Sequence, residues 1–364
     1  MRIVTILGAR PQFVKAAMVS RALSALPGAE EILIHTGQHY DGNMSAIFFE
    51  ELGIRQPDYL LDIHGLPHGA MTGRMLERLE AILMQIKPDV VLLYGDTNST
   101  LAGALAAVKL NIPIAHVEAG LRAFKLSIPE EVNRVMTDHV SEILFTPTDV
   151  ADENLRNEGI PEQRICHVGD VMYDAALHYT PIAQRRSQIM TKLDLGQKQY
   201  FLVTIHRPQN TDTAEALQRI CRILSALTAS GTVVWPLHPR TRNNLAQFGI
   251  QPEGVLMTEP LGFLDMIELE RHASVIVTDS GGVQKEAYFH QVPCVSLKRE
   301  TEWTELVTHG WNIVVPPTDD AAGIAEMIAT RVGVQGDDVP LYGSGKASEA
   351  IAHVLSDRCH AKNP

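Results

Sequence analysis

Between residues 90 and 134 the chain passes through two short, continuous apolar segments, each stopping abruptly at an acid-bearing turn. The first, residues 90–93, breaks at Gly95-Asp96-Thr97-Asn98. The second, residues 112–117, breaks at Glu118-Ala119-Gly120 and leads on to Pro129-Glu130-Glu131. Two such runs joined by a helical pattern over residues 99–109 read as a βαβ unit. That unit restricts the fold severely, because parallel strands need crossover helices and those helices cover the sheet faces. In an open parallel sheet, ligands bind beyond the carboxyl ends of the strands. Asp96 and Glu118 fall there, and Pro129 opens the next helix with Glu130 beside it. Three carboxylates gathered in one crevice repel one another, a cost expected where function needs it.

The same grammar recurs along the chain. Residues 2–7 are an apolar run ending in Gly8-Ala9-Arg10-Pro11-Gln12, followed by a helical pattern over 13–26. The turn lacks GxGxxG, so no dinucleotide is implied, but Arg10 and Lys15 are placed to reach an anionic ligand. Strand patterns follow at 31–36, 143–146 and 165–168, then at 201–206, 232–238, 254–257, 274–280 and 293–298. Two similarly built α/β lobes are expected, with the polar stretch 184–199 near their junction. In the second lobe Asp279-Ser280-Gly281-Gly282 joins a strand to a helix, and bare glycines there let an anion approach the N–H groups of the helix N-terminus. Neighbouring runs also end in polar residues: His206-Arg207, His238-Pro239-Arg240 and Arg299-Glu300-Thr301-Glu302.

A chain of 364 residues has room for two cores, and its net charge of −12 argues against a nucleic-acid or membrane-surface binder. Cys166, Cys221, Cys294 and Cys359 lack CxxC spacing, so neither a disulfide framework nor a zinc site is indicated. His64 and His68 share a loop without a third ligand at useful spacing, so no metal is expected. With no signal-peptide pattern and no spanning segment, the expected location is the cytoplasm.

Seven motifs in order now carry a resemblance over essentially the whole length. They are GARPQFVK (8–15), YGDTNST (94–100), HVEAGLR (116–122), PEEVNR (129–134), TIHRPQN (204–210), DSGGVQKE (279–286) and RETE (299–302). Together they resemble the non-hydrolysing UDP-N-acetylglucosamine 2-epimerase family. The resemblance implies a glycosyltransferase-B (GT-B) fold of two Rossmann-like doubly wound lobes with the active site in the interlobe cleft. The first lobe would be residues 1–172, with a C-terminal helix at about 347–364 packing back on it, and the UDP-binding lobe residues 173–346. By motif position, Asp96, Glu118, Glu130 and His206 match the family's catalytic residues. Arg10, Lys15, Ser280, Gly281, Gly282, Glu286 and Arg299 match positions that hold the UDP-sugar. The reaction so implied inverts C2 of a UDP-2-acetamido sugar by eliminating UDP and adding it back through a glycal. It needs no cofactor and no metal, and proximity is expected to raise the pKa of at least one of the clustered acids. A homodimer is implied as well.

Where many members have Arg-Pro after Thr301-Glu302, this chain has Trp303-Thr304. With the GQHYDGNMS segment (37–45), this looks more like members acting on UDP-2,3-diacetamido-2,3-dideoxy-glucuronate, a precursor in O-antigen synthesis. The rival readings are a glycosyltransferase on the same fold and a nucleotide-sugar sensor without turnover. A second, activating UDP-N-acetylglucosamine site known in bacterial members would use Gln38, Arg74 and His238. Asp41 stands where those enzymes carry an amide, and a carboxylate there would repel a second diphosphate, so weak or absent activation is expected.

Overall fold

The computed structural model describes residues 1–38 and 51–362, and side chains throughout these except at residue 10 and from residue 359 on. Asp41 and most of the GQHYDGNMS segment therefore lie outside the described residues, as does the Arg10 side chain. The chain divides into two compact units, residues 1–175 with 340–364, and residues 176–339. The division falls inside the helix Val171–Arg186. It thus precedes the polar stretch 184–199, which lies wholly in the second unit.

Among the described residues the first unit holds seven strands, all parallel, in the order β3-β2-β1-β4-β5-β6-β7. They are β1 (Arg2–Leu7), β2 (Glu30–His35), β3 (Tyr59–Leu60), β4 (Val90–Tyr94), β5 (Ile114–Val117), β6 (Ile143–Thr146) and β7 (Ile165–His167). The second unit repeats the pattern in the order β10-β9-β8-β11-β12-β13. Its strands are β8 (Tyr200–Thr204), β9 (Thr232–Pro236), β10 (Val255–Thr258), β11 (Val275–Thr278), β12 (Cys294–Ser296) and β13 (Asn312–Val314). Both orders reverse direction once, between β1 and β4 and between β8 and β11, which is the doubly wound Rossmann arrangement. Crevices for ligands are expected at those two reversals.

Burial on both faces explains the continuous apolar runs. In β8, Phe201 and Val203 join one core with Leu217, Ile220 and Leu224, while Tyr200 and Leu202 join another with Leu269 and Ala287. In the first unit, Val91 and Leu93 of β4 pack with Met75, Leu79 and Leu83 of the helix His68–Ile86. The helix Ala347–Lys362 packs against the helix Arg10–Ser24 of the same unit. Asp174 starts it, accepting from the backbone N–H of Ala347 and Ser348 at 3.1 and 2.7 Å.

Helices begin earlier than their apolar patterns suggest. The first starts at Arg10 rather than 13, and the fourth-strand crossover at Asn98 rather than 99. Capping is the reason: polar first turns carry no apolar signal, yet Thr97 accepts from the N–H of Thr100 at 3.3 Å and Pro11 presets the first turn.

Candidate active site

At the first reversal Gln12 joins the ends of β1 and β4. Its carbonyl accepts from the N–H of Gly8 and Ala9 at 2.7 and 2.9 Å, and its amide donates to the Tyr94 carbonyl at 2.7 Å. Gly95, in the left-handed region at φ +59°, then turns the chain so that Asp96 emerges beyond the strand. Asp96 is paired with Arg134, and its backbone carbonyl accepts from the Asn133 side chain at 2.9 Å. Glu118 stands at the end of β5, paired with Lys15. Both side chains of that pair are largely buried. A Cβ on Gly95 would lie 3.4 Å from Glu118 Oε2 and 3.6 Å from Lys15 Nζ, so this ion pair abuts the turn that carries Asp96.

Glu130 and Glu131 are adjacent in sequence and opposite in environment. Glu131 is buried, accepting from the N–H of Ala123 and Phe124 at 3.0 and 2.7 Å and from Arg134 at 2.9 Å. It shapes the turn ahead of the helix Pro129–Val140. Glu130 is exposed in the first turn, one helical turn from Arg134 and so on the same side. The structure therefore brings together Asp96, Glu118 and Lys15, and leaves Glu130 exposed one helical turn from Arg134, the partner of Asp96. Lys15 and Arg134 supply the counter-charge that a cluster of acids lacks on its own.

At the second reversal Asp279 is wholly buried after β11 and gathers the end of β8. It accepts from the backbone N–H of His206 at 3.1 Å and of Arg207 at 2.9 Å, and from the Asn210 side chain at 2.9 Å. His206 Nδ1 lies 3.6 Å from the same carboxylate, and its ring stacks on that of His238, centroids 5.5 Å apart. Loss of hydration pushes the His206 pKa below its ordinary value, the Asp279 charge opposing and Arg207 and Arg240 adding to the fall.

The helix Gly281–Phe289 opens at this place. Gly282 is exposed, and a Cβ there would meet only Ser280 Oγ, at 3.9 Å. A Cβ on Gly281 would meet Glu302 Oε1 at 2.6 Å, so glycine is required for that carboxylate to reach the turn. Glu302 in turn lies 3.0 Å from Lys298 and 3.7 Å from Arg207. Burial opposes its ionisation, but those two cations hold its carboxyl below the ordinary range. Lys285, also buried, places its ammonium 4.2 Å from the centroid of the Trp303 ring. Arg299 is exposed and Glu286 half-buried.

Of the remaining sites expected, Gln38 accepts from the Ser99 N–H at 3.0 Å, Arg74 is exposed on its helix, and His238 caps the helix Pro239–Phe248. His64 faces Asp62 and His68 faces Asn98. Among the described residues Asp149, Asp152 and His167 form one group with metal-like spacing, in which His167 Nδ1 is already 2.9 Å from Asp152.

Several residues of these two centres were not singled out by sequence: Gln12, Arg134, Asp279, Glu302 and Lys285. A signal existed for Arg134, since Glu131, Arg134 and Asp138 recur at helical spacing as a polar stripe turned inward. For Asp279 the partners are remote in sequence, and of the two cations at Glu302 only Lys298 is local, Arg207 being remote.

The model of the family described as UDP-N-acetylglucosamine 2-epimerase matches residues 21–356. The chain belongs to the UDP-N-acetylglucosamine 2-epimerase family. It is therefore an isomerase. A UDP-2,3-diacetamido-2,3-dideoxy-D-glucuronate 2-epimerase of Pseudomonas aeruginosa is 51% identical over 98% of this chain and 99% of that protein. A UDP-N-acetylglucosamine 2-epimerase homolog of Methanococcus maripaludis is 49% identical over the same shares. Among solved structures, the UDP-GlcNAc 2-epimerase of Methanocaldococcus jannaschii in complex with UDP-GlcNAc and UDP is similar, with a TM-score of 0.89 and 39% identity over 98% of this chain and 100% of that one. The epimerase has no helix, among its described residues, long and apolar enough to cross a membrane.

One property of the epimerase's second unit is open to direct measurement. Glu270 is buried on the helix Phe263–His272, which packs against the helix Gly281–Phe289. Burial, and then the charge of Glu286, hold its carboxyl well above the ordinary range. A raised folded pKa stabilises fully below the unfolded value of about 4.3 and is lost as pH rises through the folded value, at up to about 1.4 kcal/mol per pH unit. Glu270→Gln removes that loss. In urea unfolding the variant is expected to match the parent at about pH 4.5 and to exceed it at about pH 8; equal pH dependence of the two proteins would refute the assignment.

Proposed function

We propose that this epimerase inverts C2 of a UDP-2-acetamido sugar without hydrolysing it. The observation that carries the reading is the pairing of Asp96 with Arg134 and of Glu118 with Lys15 against one turn, with Glu130 exposed one helical turn from Arg134. The C2 hydrogen of such a sugar is not next to a carbonyl, so direct removal at neutral pH is not feasible. Elimination avoids this: the C2–H and C1–O bonds break, C1=C2 forms, and UDP leaves with the electron pair of the C1–O bond. Protonation of C2 from the opposite face and re-addition of UDP complete the inversion. Asp96, Glu118 and Glu130 would move the protons and stabilise positive charge at C1. His206, Arg10, Arg299, Glu286 and the Ser280-Gly281-Gly282 turn would hold UDP, with Gly282 exposed in the first turn of its helix.

For substrate, the reading favours UDP-2,3-diacetamido-2,3-dideoxy-glucuronate over UDP-N-acetylglucosamine. The 51% identity to the Pseudomonas protein and the tryptophan at 303 support it. The product would feed surface polysaccharide synthesis from the cytoplasm. Purified protein incubated with each UDP-sugar in D₂O and followed by NMR should give a C2 epimer deuterated at C2, faster with the uronate. Sugar moved to an acceptor would indicate a glycosyltransferase, and binding without turnover a sensor.

A homodimer fits the exposure of Val132 and Met136 one turn apart on the helix Pro129–Val140. Activation by a second UDP-N-acetylglucosamine at Gln38, Arg74 and His238 is expected to be weak or absent. Rate against substrate concentration should then be hyperbolic; a sigmoidal curve would show that Asp41 tolerates a second diphosphate.

A further inference from the structure

His116, wholly buried in β5, has acceptors at both ring nitrogens. Nε2 lies 2.7 Å from the backbone carbonyl of Gly95, which can only accept, and Nδ1 lies 2.7 Å from Asp138 Oδ1. The Asp138 carboxylate also accepts from the Gly120 N–H at 3.1 Å and from Arg122 at 2.7 Å. Arg122 makes a two-pronged pair with Glu158 at 2.6 and 2.8 Å, and Arg164 donates to the Asp138 backbone carbonyl at 3.0 Å. Burial opposes ionisation of Asp138, yet His116 and Arg122 hold its pKa below the ordinary value. Filling both contacts requires a proton on each ring nitrogen, since the Gly95 carbonyl and the Asp138 carboxylate are both acceptors.

The ends of this clamp are what give it a function. Gly95 immediately precedes Asp96, and Gly120 follows Glu118 by two residues. Both glycines adopt left-handed backbone, φ +59° and +81°, so each turn is a point where the chain would otherwise relax. We propose that His116 is the positioning residue that fixes the Asp96 turn and the Glu118 turn relative to each other, acting as an imidazolium that donates to Gly95 directly and holds Gly120 through Asp138. A neutral core residue would pack the same space without tying the turns. The inference rests on the epimerase reading above, because what it positions are that reaction's acids.

Two near-isosteric variants divide the clamp. In His116→Asn the amide can replace Nδ1 and keep Asp138 while losing Gly95; in His116→Gln it can replace Nε2 and keep Gly95 while losing Asp138. Each is expected to lower kcat about 10- to 100-fold with KM changed less than about threefold, since displaced acids slow chemistry more than binding. UDP affinity, measured by calorimetry, should be unchanged. Wild-type protein labelled with ¹⁵N-histidine should show one solvent-protected ring among its 15 histidines with protons on both nitrogens. Folded variants with kcat within twofold of the parent, UDP affinity falling in step with kcat, or a protected ring bearing a single proton would each overturn the proposal. If a variant does not fold, the wild-type spectrum decides the matter. Absence of turnover in the wild type would instead count against the epimerase reading.

Discussion

Glu118→Gln and Asp96→Asn are each expected to lower turnover about 10²-fold or more while UDP still binds. The magnitude is that of a lost general acid or base, and both amides keep the volume of the side chain they replace. Neither change should unfold the protein. Asp96 is partly exposed, and an amide at 118 can still accept from Lys15 through its carbonyl oxygen. Glu130→Gln is expected to fall in the same range with even less effect on stability, its side chain being exposed. The measurement is initial rate by NMR together with calorimetric UDP affinity. Near-normal rates in all three variants would remove this cluster from the chemistry, and lost affinity with an unchanged maximal rate would make it a binding surface.

Asp279→Ala should damage the other centre more severely, because one buried carboxylate satisfies three donors. Without it the N–H groups of His206 and Arg207 and the amide of Asn210 lose the acceptor that orders the end of β8. Leaving such groups unsatisfied costs about 1–3 kcal/mol each, so a loss of about 3–5 kcal/mol in unfolding free energy is expected after partial relaxation. UDP affinity should fall as well, since His206 would no longer be held. Asp279→Asn retains one accepting oxygen and should lie between. Urea unfolding followed by tryptophan fluorescence reports on it, because Trp235, Trp303 and Trp311 all belong to this unit. A stability change under about 1 kcal/mol in Asp279→Ala would show that the three donors find other partners.

How far the site was legible depended on whether its determinants were local. Val90–Tyr94 could be read as a buried strand because every residue in it faces protein, and Gly95 because a turn must follow. Asp96, Glu118 and His206 then stood out as polar residues at strand ends. What remained hidden were the partners. Arg134 lies 38 positions from Asp96, and Asp279 lies 73 from His206. Each meets its partner through strand order, which no stretch of sequence encodes alone. The pair Glu130-Glu131 shows the limit most sharply, since a single helical step of about 100° separates an exposed acid from a buried one. The expectation that crowding governs the acids also treated them as isolated charges, whereas Lys15 and Arg134 share the site.

Glu118 occupies left-handed backbone at φ +71°, where glycine would be at ease and a side chain costs about 1–2 kcal/mol. Its partner Lys15 is a second expense, for a buried ion pair replaced whole by apolar residues often leaves a protein as stable or more so. Selection for stability alone would thus remove both residues. Their presence in this chain makes positions 15 and 118 a gauge of selection for turnover. In a duplicated copy released from that demand, drift toward glycine at 118 and an apolar residue at 15 should come early, while the sheet around them remains intact.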